Sequence, residues 1–188
     1  MAFPAENDIS VIRKVVAGEK EQFEQLFAAH REFVYCVAFR ICESAADAEE
    51  VVSETFYKAY KQLKNFRAEA SFATWLYRIA VNESRDMLRK RNRVVLWEDP
   101  LLDIPQIQRD SVDFDETIIK RDEAQKLRQA LSKLAVQDRL IITFRYDRGL
   151  SYDEIAEILD MPRNTIGTRI FRAKKQLMNY LRKAGVER

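Results

Sequence analysis

LSYDEIAEILDMPRNTIGTRIFRAKK, residues 150–175, reads as a short helix, a corner and a longer helix. Gly149 supplies the turn before it, and Ser151 with Glu154 forms the S-x-x-E pattern that caps a helix start reciprocally. Ile155, Ala156 and Leu159 make the inner side of the short helix, and Asp160 and Met161 form the corner. Pro162 suits the first turn of the next helix, where its missing N–H leaves nothing unsatisfied. On that helix Ile166, Ile170, Ala173, Leu177 and Leu181 fall on one apolar stripe. Asn164, Thr168, Arg172 and Lys175 lie opposite, with Thr165 and Phe171 beside them and Arg169 on the flank. A short helix, a tight corner and a longer helix with a polar, basic outer face match the shape that enters a DNA major groove. Arginine offers a bidentate fork to guanine, while Asn and Thr can meet adenine or a thymine methyl. Arg163, Lys174 and Lys175 are placed for phosphates, which position without specifying. A basic stripe alone would fit a solvated helix in any bundle; the capped helix and the corner set this one apart.

Moving outward, apolar positions recur at helical spacing through most of the chain. They predict a short helix near 9–16, then helices over about 21–41, 48–63 and 71–91, and again over 117–134, 138–147, 152–159 and 162–183. The run from Leu140 to Tyr146 could pass for a strand, but its setting between helices argues against one. Residues 94–116 hold Pro100, Pro105, seven acids and one base with no sustained period, and read as an extended linker. Charge divides the chain in the same places: net +1 over 1–93, −6 over 94–116 and +7 over 117–188. The expected fold is all-α, with small helical domains over 1–93 and 117–188 joined by the acidic, flexible linker 94–116.

The N-terminal block carries a second basic surface. On the helix after Ser71, the residues Phe72, Trp75, Leu76 and Ile79 mark a buried side. Thr74, Arg78, Val81, Arg85 and Arg89 cluster opposite, with Asn82 at the edge. Upstream, the loop from Phe66 and Arg67 to Ser71 adds an aromatic and a cation. An aromatic loop beside a basic helix can hold unstacked bases while arginines follow the backbone. Phe72 and Trp75 are read as core; the aligned arginines are read as DNA contacts.

Several classes of function are excluded. The chain has one histidine, His30, and two cysteines, Cys36 and Cys42, whose six-residue separation turns them roughly 240° apart on a helix. Reduced thiols are expected, and neither metal nor cofactor. No nucleophile–base constellation or Gly-rich phosphate loop appears, so no catalytic residue is expected. No apolar run approaches the roughly 20 residues that span a bilayer, and the start lacks a signal sequence, so a cytoplasmic location is expected.

Taken together, Asp47-Ala-Glu-Glu-Val-Val-Ser-Glu-Thr-Phe-Tyr-Lys-Ala-Tyr60, the stretch from Phe66-Arg67 through Ser71-Phe-Ala-Thr-Trp-Leu-Tyr-Arg-Ile-Ala-Val-Asn82, and the helix-turn-helix ending Arg169-Ile-Phe-Arg-Ala-Lys174 resemble the sigma-70 family of RNA polymerase sigma factors. The compact extracytoplasmic function (ECF) group fits best, over roughly residues 20–184. The resemblance implies sigma region 2 in the first domain and region 4 in the second. It implies that residues 47–63 dock on the clamp helices of the largest subunit of core RNA polymerase through Asp47, Glu50, Val51, Glu54, Thr55 and Lys58, with Asp47, Glu50 and Glu54 as exposed acids. It assigns promoter −10 melting and capture to Phe66, Arg67, Ser71, Thr74, Arg78, Asn82, Arg85 and Arg89. It makes Arg163, Asn164, Thr165, Thr168, Arg169, Phe171, Arg172, Lys174 and Lys175 the −35 reader. It further implies contact with the second-largest subunit's flap, a linker threaded through the polymerase channel, and an anti-sigma partner that could hold the protein at the membrane. Gly167 and Asn164 depart from the family's pattern and bear on which −35 sequence is read. Two other readings are a stand-alone helix-turn-helix regulator, which would be expected to dimerise, and a helical adaptor that binds only proteins.

Overall fold

The computed structural model describes residues 5–91 and 118–185, and every regular element among them is a helix. These are α1 (Ala5–Ala17), α2 (Phe23–Cys42), α3 (Ala45–Gln62), α4 (Phe72–Lys90), α5 (Ile118–Ser132), α6 (Val136–Asp147), α7 (Tyr152–Leu159) and α8 (Arg163–Lys183). Short 3-10 turns precede α2 at Lys20–Gln22 and follow α3 at Leu63–Asn65. The expected linker falls on residues outside those described.

Local chemistry sets the breaks. α2 ends where Glu43 takes a left-handed conformation (φ 55°), and Ser44 then caps α3 by accepting the Asp47 N–H at 3.3 Å. Ser71 caps α4 in the same way, its Oγ accepting the Thr74 N–H at 3.0 Å. At α7 the capping box is complete: Ser151 Oγ accepts the Glu154 N–H, and the Glu154 carboxylate accepts the Ser151 N–H at 2.8 Å. The corner to α8 is made by Asp160 with φ 56°, a conformation that Asp tolerates better than most residues.

Helices α2, α3 and α4 pack face to face through Val34, Val37, Ile41, Val51, Val52, Phe56, Leu76 and Ala80, all buried. α1 lies across them with Val11, Ile12 and Val15 inward, and its Asp8 accepts from His30 Nε2 at 3.0 Å. His30 Nδ1 in turn stands 3.4 Å from the hydroxyl of buried Tyr77. Cys36 is half-buried, Cys42 is buried, and neither forms a disulfide among the described residues. In the C-terminal half, α6 is buried on nearly every side from Val136 to Phe144 because it sits between α2 and α8. That explains its strand-like continuous apolar run: a helix covered all round has no polar stripe to reveal its period.

The two halves do not stand apart. One unbroken apolar cluster runs from Val11 to Ile170, and Phe144 on α6 meets Phe33 and Tyr77 at centroid distances of 5.9 and 6.1 Å. The sequence pointed to separately cored domains with a free hinge. The packing joins them, with Phe144 and Ile141 fully buried in the shared cluster.

Two outcomes follow from this packing. Burial pushes the Tyr77 hydroxyl up to about 12 from an ordinary value near 10, since the phenolate would lose its hydration. The unfolded chain therefore ionises first, so the contribution of Tyr77 is complete below pH 10 and declines between about pH 10 and 12. Denaturant titrations of wild type and Tyr77→Phe across that range should show a steeper loss in wild type. Gly167 faces the Tyr152 ring, where an added Cβ would sit 3.7 Å away in ordinary contact. Gly167→Ala should therefore stabilise α8 by about 1 kcal/mol, read as a higher denaturation midpoint.

Candidate nucleic-acid and polymerase interfaces

On α8 the sequence-predicted outer face is exposed: Arg163, Asn164, Thr168, Phe171, Arg172, Lys174 and Lys175 all stand in solvent, with Thr165 half-buried. Phe171 is 72% exposed, far more than an aromatic needs for helix packing alone. The Thr168 hydroxyl donates to the Asn164 carbonyl at 3.1 Å, which restrains its side chain. Lys174 reaches over the Tyr146 ring, and Arg163 pairs with Asp153 at 3.0 Å in the open. Arg169 is a different case. It is turned inward and bonded to buried Asp138 of α6 at 2.9 Å, which anchors α8 to α6. Gly167 faces Tyr152 of α7, where an added Cβ would find ordinary contact.

The residues expected to meet the −10 element come together in part. Phe66 packs against Phe72 and Trp75 at 5.9 and 5.3 Å, with Phe72 buried and Trp75 half-buried; Phe66 is thus a lid on the core as much as a loop aromatic. Arg67 is exposed, next to Ala68, whose φ of 56° bends the loop sharply. Ser71 is occupied in capping α4. Asn82 and Arg89 are exposed, and Arg89 also pairs with Asp86 at 3.0 Å.

The centre of that face, however, is covered by α7. Thr74 and Val81, placed on the outer face by periodicity, are fully buried. Thr74 Oγ1 donates to Glu154 at 3.2 Å, Arg78 stands 4.0 Å from Glu157, and Arg85 donates to the Leu159 carbonyl at 3.4 Å. Burial lowers the Arg85 pKa from its ordinary value, with Asp160 opposing that shift and Arg89 adding to it. Sequence spacing groups these residues on one side of α4 but carries no sign of its cover, since the partner lies 80 positions away.

On α3 the exposed row is Glu49, Glu50, Ser53, Glu54, Tyr57 and Lys61. Asp47 is not the exposed acid that was expected: it is fully buried and paired with Arg91, because the Ser44 cap turns this first-turn residue toward the end of α4. Val51 and Thr55 belong to the core side. Lys58 bonds Glu83 at 2.6 Å, and that bond raises its pKa. Glu49, Ser53, Tyr57 and Lys61, which the sequence reading did not single out, follow a four-residue step that starts two positions after Asp47. Tyr57, 58% exposed with Lys61 Nζ 5.4 Å from its ring, is the one large apolar group in this row.

Among the described residues no cluster of His, Cys, Asp or Glu could hold a metal ion, and no helix is long and apolar enough to cross a membrane.

Comparison with known proteins follows the same two halves. Residues 26–94 match Sigma-70 region 2, and residues 124–177 match Sigma-70, region 4. The chain is 36% identical to the ECF RNA polymerase sigma-E factor of Haemophilus influenzae, over 92% of this chain and 94% of that one. It is 33% identical to the RNA polymerase sigma-H factor of Pseudomonas aeruginosa, over 92% of each. With ECF RNA polymerase sigma factor SigW of Bacillus subtilis the identity is 30%, over 91% and 95%. Among solved structures, CnrH in complex with the cytosolic domain of CnrY aligns at TM-score 0.64 and 25% identity, over 92% of this chain and 96% of that one. The fold is also that of the sigma factor RpoE of Bartonella quintana, solved with the anti-sigma factor NepR, at TM-score 0.67 and 24% identity, over 86% and 98%. Two region matches in order, and full-length relatives above 30% identity, place this chain in the sigma-70 family of RNA polymerase sigma factors, within its ECF group.

Proposed function

We propose that this ECF sigma factor directs core RNA polymerase to its promoters through three surfaces. The exposed row on α3, with Glu50 and Glu54 at its centre, docks on the clamp helices of the largest subunit. Asp47, Val51, Thr55 and Lys58 then support that row from beneath. The loop 66–71 and α4 capture the melted −10 strand, with Asn82 against an unstacked base and Arg78, Arg85 and Arg89 along the backbone. The outer face of α8 reads the −35 duplex: Asn164, Thr168, Phe171 and Arg172 lie toward base edges, and Arg163, Lys174 and Lys175 toward phosphates.

The observation that carries this reading is the α8 face itself, where polar, basic and aromatic side chains stand exposed together, Arg172, Phe171 and Lys175 having no internal partner among the described residues. Polymerase would hold the two readers at one separation, so that their binding adds through effective concentration. The chain supplies binding and strand capture, and the polymerase supplies the chemistry. It acts in the cytoplasm, contacts the flap of the second-largest subunit and is held in check by an anti-sigma factor, as expected of its group.

Run-off transcription with core polymerase tests this directly. Addition of the chain should produce selective starts, and Arg172→Ala should reduce them by about tenfold, as expected from the loss of 1–3 kcal/mol of groove contact. Asn82→Ala should leave duplex −35 binding unchanged but slow open-complex formation. Glu50→Lys with Glu54→Lys should weaken co-purification with core polymerase. Parent-like transcription by all three variants would overturn the assignment of surfaces. Tight, specific binding by the free chain in a gel shift would favour a stand-alone regulator.

A further inference from the structure

We propose that Gly167 and Tyr152 form a notch that seats the 5-methyl group of one thymine in the −35 duplex, which makes Tyr152 a specificity-determining residue. The inference rests on the reading of α8 as the −35 reader given above.

Nothing in the fold itself calls for glycine at 167. Of the chain's four glycines, Gly18, Gly149 and Gly185 have φ values of 117°, 69° and 75°, which glycine adopts without strain. Gly167 lies inside α8 with no such backbone, and glycine in a helix interior is destabilising relative to alanine. Crowding does not demand it either. An added Cβ would stand 3.7 Å from Cε2 and 3.9 Å from Cδ2 of Tyr152, both ordinary contacts. Its own helix backbone and chain neighbours aside, it would meet no other atom within 4 Å. The missing side chain thus leaves room beside an aromatic edge that the chain does not fill. A methyl from outside can stand against that edge, and a β-carbon on residue 167 would bar it.

The room adjoins the surface that would enter the groove. Asn164 lies three positions before Gly167 and Phe171 four after it, so both share its side of the helix, and both are exposed. Arg163 and Lys174, four positions before and seven after, bracket the notch with exposed cations. Arg163 pairs with Asp153 in the open and Lys174 Nζ stands 5.8 Å from the Tyr146 ring centroid, so each is free to turn to a phosphate. The floor of the notch is held firmly. Tyr152 is half-buried, opens α7 directly after the Ser151 cap and packs on the main apolar cluster. The Arg145 guanidinium lies 5.3 Å from its ring centroid and donates to the Leu150 carbonyl at 2.9 Å. The lining selects the ligand. Ring carbons and a glycine Cα offer no hydrogen-bonding atom, so a polar base edge would lose its water there without replacement. In the major groove the thymine C5-methyl is the apolar group that a base presents.

Deoxyuridine lacks only that methyl, and replacing thymine with it tests the notch. A promoter fragment on which the chain with core polymerase gives selective starts is remade with each −35 thymine, on either strand, replaced singly by deoxyuridine. The affinity of the full chain bound to core polymerase is then measured for each duplex. With the parent, replacement at the thymine that faces the notch should weaken binding by about fourfold, the size expected of one buried methyl. With Gly167→Ala, which should fold at least as well as the parent, the loss at that position should shrink to less than about 1.5-fold, because the two changes remove one and the same contact. Arg172→Ala should instead lower affinity for the thymine and uracil duplexes alike and keep their ratio. A parent that binds every uracil duplex like its thymine counterpart overturns the notch, and so does a set of ratios that all survive Gly167→Ala. Absence of selective starts with the parent, or parent-like affinity of Arg172→Ala, would overturn the reading of α8 itself.

Discussion

The contact of Phe144 with Phe33 and Tyr77 makes one core out of two halves, and most of the rest of the structure depends on it. Small bundles hide a smaller share of their surface, and the shared cluster buries residues of both halves together. α6 resolves this by lying between α2 and α8, and it is the element whose residues are buried almost without interruption. A charged group follows it into the interface. Arg139 is tolerated there because a carboxylate and a backbone carbonyl receive its protons. A guanidinium left without them would carry a large desolvation penalty.

With α6 in place, α7 has little freedom: it must cross α4. The contacts it makes there differ in kind from those of α6. They are polar, partly open to solvent and long, with Arg78 and Glu157 each about half exposed. Pairs of this type contribute little to stability and are screened by salt. The interface thus combines an apolar seat that sets geometry with a polar layer that sets what is covered.

The basic residues of the C-terminal half are also divided by burial. Arg139 and Arg169 hold helices together through Glu43 and Asp138, and Arg145 donates to the Leu150 carbonyl at 2.9 Å. Arg163, Arg172, Lys174 and Lys175 remain on the surface. A net charge therefore overstates the cation count available to a polyanion, and on α8 Arg172 and Lys175 share the exposed face with Asn164, Thr168 and Phe171. The acidic row of α3 lies elsewhere on the molecule, which keeps surfaces of opposite sign apart.

What the sequence determined by itself is whatever depends on neighbours within about four positions. The Ser151–Glu154 capping box, the Asp160 corner, the caps at Ser44 and Ser71 and the outer face of α8 are all of this kind, as is the helical content. Their energetics are local hydrogen bonds and side-chain spacing, and both are visible in the order of residues. The tertiary structure alone decided that Thr74 and Val81 are covered, that Asp47 turns inward to Arg91, that Arg169 is anchored to Asp138, and that the halves share one core. Each of those outcomes joins groups far apart in the chain. Which of two faces a helix buries is fixed by the surface brought against it, and periodicity records only that the faces differ.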